Sequence, residues 1–305
     1  MSTPLRVAAF VAALVAVFGL AVGVGRAVGP VDTEPAAHAG EEAHADDEAA
    51  GADGHAAEGS HDEEDGPYAV GLTTRAAGLT LALAERTVAP GRDVRLAFRV
   101  ETSGGRPLLD YDVDHEKELH LVVVRRDLTG FQHLHPTLDR ATGTWSTRAD
   151  LTPGTWRVVA DLVPAGEEGV VLADDLSVPG DFRPDAERRE RRTDRVGDYE
   201  LTLAGDTVPG AETVLTARVS RDGAPVDDLQ PHLGAHGHLV VLREGDLGFL
   251  HVHPEGGGSG PGGPEVAFAT TFPTAGTYRL FLDFRHDGVV RTADFTVHAE
   301  DDDDH

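Results

Sequence analysis

His120, His133 and His135-Pro136 are answered 118 residues later by His238, His251 and His253-Pro254, so the pattern His-x12-His-x-His-Pro occurs twice. Neutral imidazole is a ligand for Zn(II), Cu(II) and Ni(II), and three converging rings make an open site that water or a carboxylate completes. Side chains at i and i+2 of a strand share one face, which sets His133 beside His135 and His251 beside His253. The first histidine of each set opens a Leu-Val-Val run. Paired as a hairpin with an even loop, that run brings its histidine onto the same face as the other two. An odd loop sends it to the opposite face, and the sequence leaves both registers open. His236 stands two residues before His238, where the first copy has Glu118. The second copy further adds His232 and His286, the first only His115, so ligand count favours the second copy as the richer and tighter site. The competing reading is structural: buried histidines bond backbone across a hairpin, and His-Pro ends a strand.

The rest of the composition narrows the chemistry. There are no cysteines, and the one methionine is Met1, which excludes thiolate metal sites, disulfides, thiol catalysis and thioether ligands for Cu(I). Sixteen histidines stand against a single lysine, Lys117, so histidine and carboxylate must hold any metal. The formal charge of −27 argues against nucleic acid as a partner, since phosphate binding needs clustered Lys and Arg. No Gly-x-Ser-x-Gly elbow or distinct carboxylate pair is present. A zinc held by three histidines can activate water, but no general base is placed for it, so the chain is read as not an enzyme and without catalytic residues. Protonation competes with metal for imidazole, which predicts affinity falling as pH drops through about 6.5.

The elements that position these histidines come from a duplication. Gly105–Pro136 aligns without a gap onto Gly223–Pro254, with 13 of 32 positions identical. Downstream, Gly154-Thr-Trp-Arg157 answers Gly276-Thr-Tyr-Arg279, and Asp161 answers Asp283. Short alternating runs such as Leu79–Leu83 and Val94–Val100, separated by Gly and Pro, read as strands. About seven strands in about 100 residues suit an immunoglobulin-like fold without its disulfide. The expected fold is therefore all-β, two tandem immunoglobulin-like sandwiches over residues 67–180 and 197–298, joined by an Arg-rich linker at 181–196.

Ahead of the repeats, Val7–Gly25 is a run of nineteen uncharged, mostly apolar residues between Arg6 and Arg26. As a helix it spans about 28 Å, close to the hydrocarbon thickness of a bilayer. It reads as a single-pass membrane anchor within residues 1–28, with a cleaved signal peptide ending near Ala37-His38-Ala39 as the rival. Both export the rest of the chain, to the outer face of the cell membrane or as a secreted protein. Residues 29–66 are Ala-, Gly-, Asp- and Glu-rich with His38, His44, His55 and His61, and read as a disordered spacer with loose affinity for divalent cations. Residues 299–305 form an acidic tail.

The segments Val113–Pro136 and Leu233–Pro254 resemble a family of exported, largely uncharacterised actinobacterial proteins, sometimes labelled secreted or heavy-metal-associated. The resemblance covers about Tyr68 to Val297, and the His hairpins are its specific part. Family members often carry Met where this chain has Leu119 and His236, a departure that removes thioether character and any Cu(I) role with it. The sequence thus leaves two classes of function: an extracytoplasmic binding protein for Cu(II) or Zn(II), serving buffering, delivery or resistance, with His120, His133, His135, His238, His251, His253 and His236 as ligands; or a structural or adhesive module in which the hairpins are not metal sites. No protein partner is indicated. Mass spectrometry of the mature protein should find residues 7–25 retained; an N-terminus at or after Ala39 makes it secreted.

Overall fold

The computed structural model describes residues 70–185, 189–250 and 252–300, and of His253 only the backbone. The apolar segment 7–25, the spacer, His251 and the acidic residues 301–305 lie outside the described residues. Among those described, no helix is long and apolar enough to cross a membrane.

Among the described residues every regular element is a strand. In the first repeat β1 (Arg75–Ala76), β2 (Leu79–Leu83) and β3 (Gly91–Thr102) are followed by β4 (Tyr111–Asp112) and β5 (Leu119–Arg125). Then come β6 (Gln132–Leu134), β7 (Thr137–Asp139), β8 (Thr144–Leu151), β9 (Gly154–Pro164) and β10 (Val170–Val178). The second repeat runs β11 (Thr193–Val196), β12 (Tyr199–Ala204), β13 (Glu212–Arg221), β14 (Ala224–Pro225) and β15 (Gly237–Arg243). It closes with β16 (Phe249–Leu250), β17 (His253–Glu255), β18 (Glu265–Thr271), β19 (Gly276–His286) and β20 (Val289–Ala299).

The first repeat has one sheet in the order β1-β2-β3-β8-β7 and another in the order β10-β9-β5-β6. The second follows the same two orders, β11-β12-β13-β18-β17 and β20-β19-β15-β16, and differs in that β14 pairs with β13 whereas β4 pairs with β9. Apart from the short leading strand, this is the ABED and GFC arrangement of an immunoglobulin-type sandwich. One boundary moves: Thr193–Val196, assigned above to the linker, pairs with β12. A four-residue strand carrying Asp194 and Arg195 has no apolar alternation to show it.

In the first repeat the His-Pro corner is where the chain changes sheets, while in the second His253 and Pro254 already pair with β18. β6 pairs with β5, and after Pro136 the chain continues as β7 against β8 in the opposite sheet. Proline has no N–H to extend the first ladder, so a strand end falls naturally there. Gly130 starts the approach with φ +66°, and a Cβ on it would stand 2.7 Å from the Trp156 ring.

Strand β5 is buried along both faces. Leu119, Leu121 and Val123 enter the core of their own sandwich with Phe98, Trp145 and Trp156. Their alternates Val122 and Val124 join Val240, Leu242, Phe249 and Phe281 of the second repeat in a separate apolar cluster. The two sandwiches, which lie in one compact unit, therefore pack through the outer faces of β5 and β15 and their neighbours. Phe131 stacks on Phe281 at 4.0 Å between centroids and 4° between planes. Removing the ring in Phe281→Ala should cost about 3–5 kcal/mol, lowering Tm by roughly 10 °C for a body of this size. Scanning calorimetry checks this; an unchanged Tm would mean that the contact between repeats contributes nothing.

Candidate metal centre

The hairpin register is the even one. Leu121 faces Leu134 and Val122 faces His133 across β5 and β6, a ladder that puts His120 level with His135. The second hairpin repeats it, with Val241 facing Leu250 and Leu242 facing Phe249. His120 thus shares a face with Val122 and Val124, and His238 with Val240 and Leu242. Those are the faces that meet between the repeats, so His120, His133 and His238 lie together beside the apolar contact.

Five rings cluster there. His120 lies 5.3 Å from His133 and 5.1 Å from His135, with His133 and His135 4.9 Å apart, measured between centroids. His238 of the second repeat stacks on His120 at 5.5 Å and on His133 at 4.8 Å. His115 meets His120 and His238 edge-on at 6.2 and 5.6 Å. The ligand atoms of His120, His133 and His135 all fall within 4.8 Å of one another.

The hydrogen bonds determine the tautomers. His133 donates Nδ1–H to Oδ2 of Asp283 at 2.9 Å, with both side chains almost fully buried. His120 donates Nε2–H to the backbone carbonyl of Asp114 at 3.1 Å. A carboxylate and a carbonyl only accept, so each neutral ring keeps its lone pair on the other nitrogen. Those nitrogens, Nδ1 of His120 and Nε2 of His133, face each other at 3.1 Å. Two lone pairs at that distance repel unless a cation sits between them, either a shared proton or a metal ion. Nitrogens on one tetrahedral zinc stand about 3.4 Å apart, given Zn–N of about 2.0–2.1 Å. His135 adds a third: its Nε2 is buried and has no hydrogen-bond partner among the described residues.

Burial and the neighbouring imidazoles disfavour charge on these rings. Burial first, then His133, pulls His120 down to about 4; the same causes, with His120 added, pull His135 down to about 3. Burial also holds His238 well below the usual imidazole range, and lowers His232 despite the opposing charge of Asp283. At neutral pH these four are neutral, the form that binds metal. Proton competition at His120 and His135 therefore shifts below the 6.5 expected from free imidazole.

Other candidates are engaged elsewhere. His236 bonds the Gly260 carbonyl through Nε2 at 2.9 Å. His286 lies between the Tyr199 hydroxyl at 2.7 Å and Asp228 at 2.9 Å. Among the described residues neither belongs to the five clustered rings, whereas His115 does. His251 lies outside the described residues, and the backbone of His253 opens β17. Asp283 was missed as a functional residue, although its match with Asp161 in the other copy was a usable signal.

The family described as Domain of unknown function (DUF8832) matches residues 74–174 and 194–301. No curated protein matches. Among solved structures, the Escherichia coli adhesin FdeC is similar at 15% identity and TM-score 0.24, covering 73% of this chain and 64% of that one. A Salmonella alpha-2-macroglobulin mutant gives 16% identity and TM-score 0.26, over 75% of this chain and 15% of that one. Invasin, a bacterial integrin-binding protein, gives 15% and 0.22, over 73% and 39%. The chain spans less than two thirds of each of these structures, and at such scores they decide neither fold nor function.

The buried rings make stability depend on pH with a definite sign. His120, His135 and His238 titrate lower folded than unfolded, so the unfolded chain binds more protons once pH is below about 6.5. Their contribution is whole above that pH and is lost progressively toward the folded values, about 4 for His120 and about 3 for His135. Thermal unfolding of metal-free protein should show Tm falling steadily between pH 7 and 4, with a shallower slope in His135→Gln. A flat profile would mean that the folded rings accept protons freely.

Proposed function

This chain belongs to the DUF8832 family, and from the histidine centre between its two repeats we propose that it binds a divalent transition metal, Cu(II) or Zn(II), outside the cytoplasm for buffering, delivery or resistance. The observation that carries this reading is the approach of His120 Nδ1 and His133 Nε2 to 3.1 Å, with the unsatisfied His135 nitrogen beside them. The donor set is nitrogen with neighbouring carboxylate, which suits Cu(II), Ni(II) and Zn(II), and the affinity order puts Cu(II) first. Calcium and magnesium ask for shells of oxygen and are disfavoured. The acidic, histidine-bearing spacer fits as a loose collector, and residues 7–25 as the membrane anchor.

A second reading has its own observation. The same rings stack across the contact between repeats, so they also serve folding, and an adhesive or scaffolding module needs no metal at all. Equilibrium dialysis with Zn(II) and with Cu(II) separates the two, using protein that lacks residues 1–66 and 301–305. The wild type should hold a stoichiometric ion at pH 7 and keep it to about pH 5.5. His120→Ala and His133→Ala should each weaken binding by at least about 10-fold, the lower end of what loss even of an outer-shell partner costs. His236→Ala should leave binding unchanged. His251→Ala tests the second triad in the same assay. No stoichiometric binding by the wild type, or full retention in His133→Ala, would leave the structural reading in its place.

A further inference from the structure

We infer that the centre is bipartite: the first repeat supplies the ligand rings, and the second supplies Asp283, the carboxylate that positions His133, so that metal occupancy and the seating of one repeat on the other form a single equilibrium. The inference rests on the metal reading above and deepens it.

Asp283 lies on β19 directly across from His238 on β15. It points away from its own sandwich and accepts the Nδ1–H of His133 from the other repeat. Its second oxygen accepts a hydrogen bond from Oγ1 of Thr292 at 2.5 Å, its cross-strand neighbour on β20. With both oxygens held and the side chain only 6% exposed, the carboxylate is fixed in place. It therefore presents the Nε2 lone pair of His133 to the site. A carboxylate behind a metal-bound imidazole raises its basicity and sets its orientation. Here that support crosses between repeats. His238 closes the same side of the site by stacking on both His120 and His133. Separating the repeats would leave His133 without its orienting partner, so an ion that binds the oriented ring must favour the packed arrangement.

The test uses the full chain, with Zn(II) for affinity and Cu(II) for spectroscopy. Asp283→Asn should weaken metal binding about 10–100-fold and change the Cu(II) hyperfine splitting, whereas Asp283→Glu should restore part of the affinity. In a His133→Ala background Asp283→Asn should cause no further loss. Zn(II) should also slow backbone hydrogen exchange in β15 and β19, on the repeat that contributes no described ligand. If Asp283→Asn does not fold, Thr292→Val replaces it, with a few-fold loss of affinity expected. Unchanged affinity and Cu(II) spectrum in the variant, even with a lowered Tm, would overturn the bipartite centre and leave the metal reading standing. Failure of the wild type to bind either ion would remove both.

Discussion

The structure depends on strands β5 and β15 being buried on both faces. An immunoglobulin-type sandwich normally leaves the outer face of each sheet in water, and one apolar face per strand is then enough. Here the second face is covered by the other repeat, and Val122, Val124, Val240 and Leu242 have no other place to be dry. Any polar side chain on those faces loses water without gaining a choice of partners, and must be satisfied within the contact. Along most of the contact the sequence meets this with aliphatic residues and the Phe131–Phe281 stack. At one end it places imidazoles instead.

That placement has an energetic cost which the apolar part of the contact avoids. Leucine at positions 120 and 238 would continue the pattern of Val122 and Val240, bury comparable surface and need no hydrogen bonds. The imidazoles require a backbone carbonyl for His120, a carboxylate for His133 and a hydroxyl to hold that carboxylate. Even so, two nitrogens face each other and a third has no partner among the described residues. Buried polar groups left in such a state weaken a fold relative to an apolar replacement. A cation between the rings turns the same geometry from a cost into a source of stability, which is the physical case for a site.

Much of this was legible in the sequence, and the parts that were not share a cause. Alternating runs and turn residues gave the strands, and the constant offset of 118 gave the duplication, because both are properties of one chain segment at a time. The meeting of the two His hairpins is a property of how finished sandwiches pack, and only indirect signals of it exist. One is Leu121-Val-Val-Val124, a continuous apolar run where a strand with one wet face would alternate. Another is the retained pair Asp161 and Asp283, carboxylates on the strand beside the histidine strand in each copy. Counting ligands by residue type takes no account of direction. His286 follows Asp283 by three on β19, an odd step that turns it to the inner face, where Tyr199 and Asp228 hold it.

The geometry of the contact explains why one repeated motif yields a crosswise pair. When the same patch of two like units packs on itself, a residue on the axis that relates them meets its own counterpart, and one off that axis meets a different residue of the patch. His120 meets His238, its duplicate, in a stack with 7° between planes. His133 lies to one side and meets Asp283, whose duplicate is Asp161. A motif carrying both a histidine and an aspartate can thus form the pair between repeats without either repeat forming it alone. The copies have since diverged around this shared frame. His115 of the first repeat aligns with Leu233, and Asp114 with His232, so the residues ahead of the two histidine strands differ. Strand topology tolerates that divergence because it is set by the inner faces, while the chemistry is set by the faces the two repeats turn toward each other.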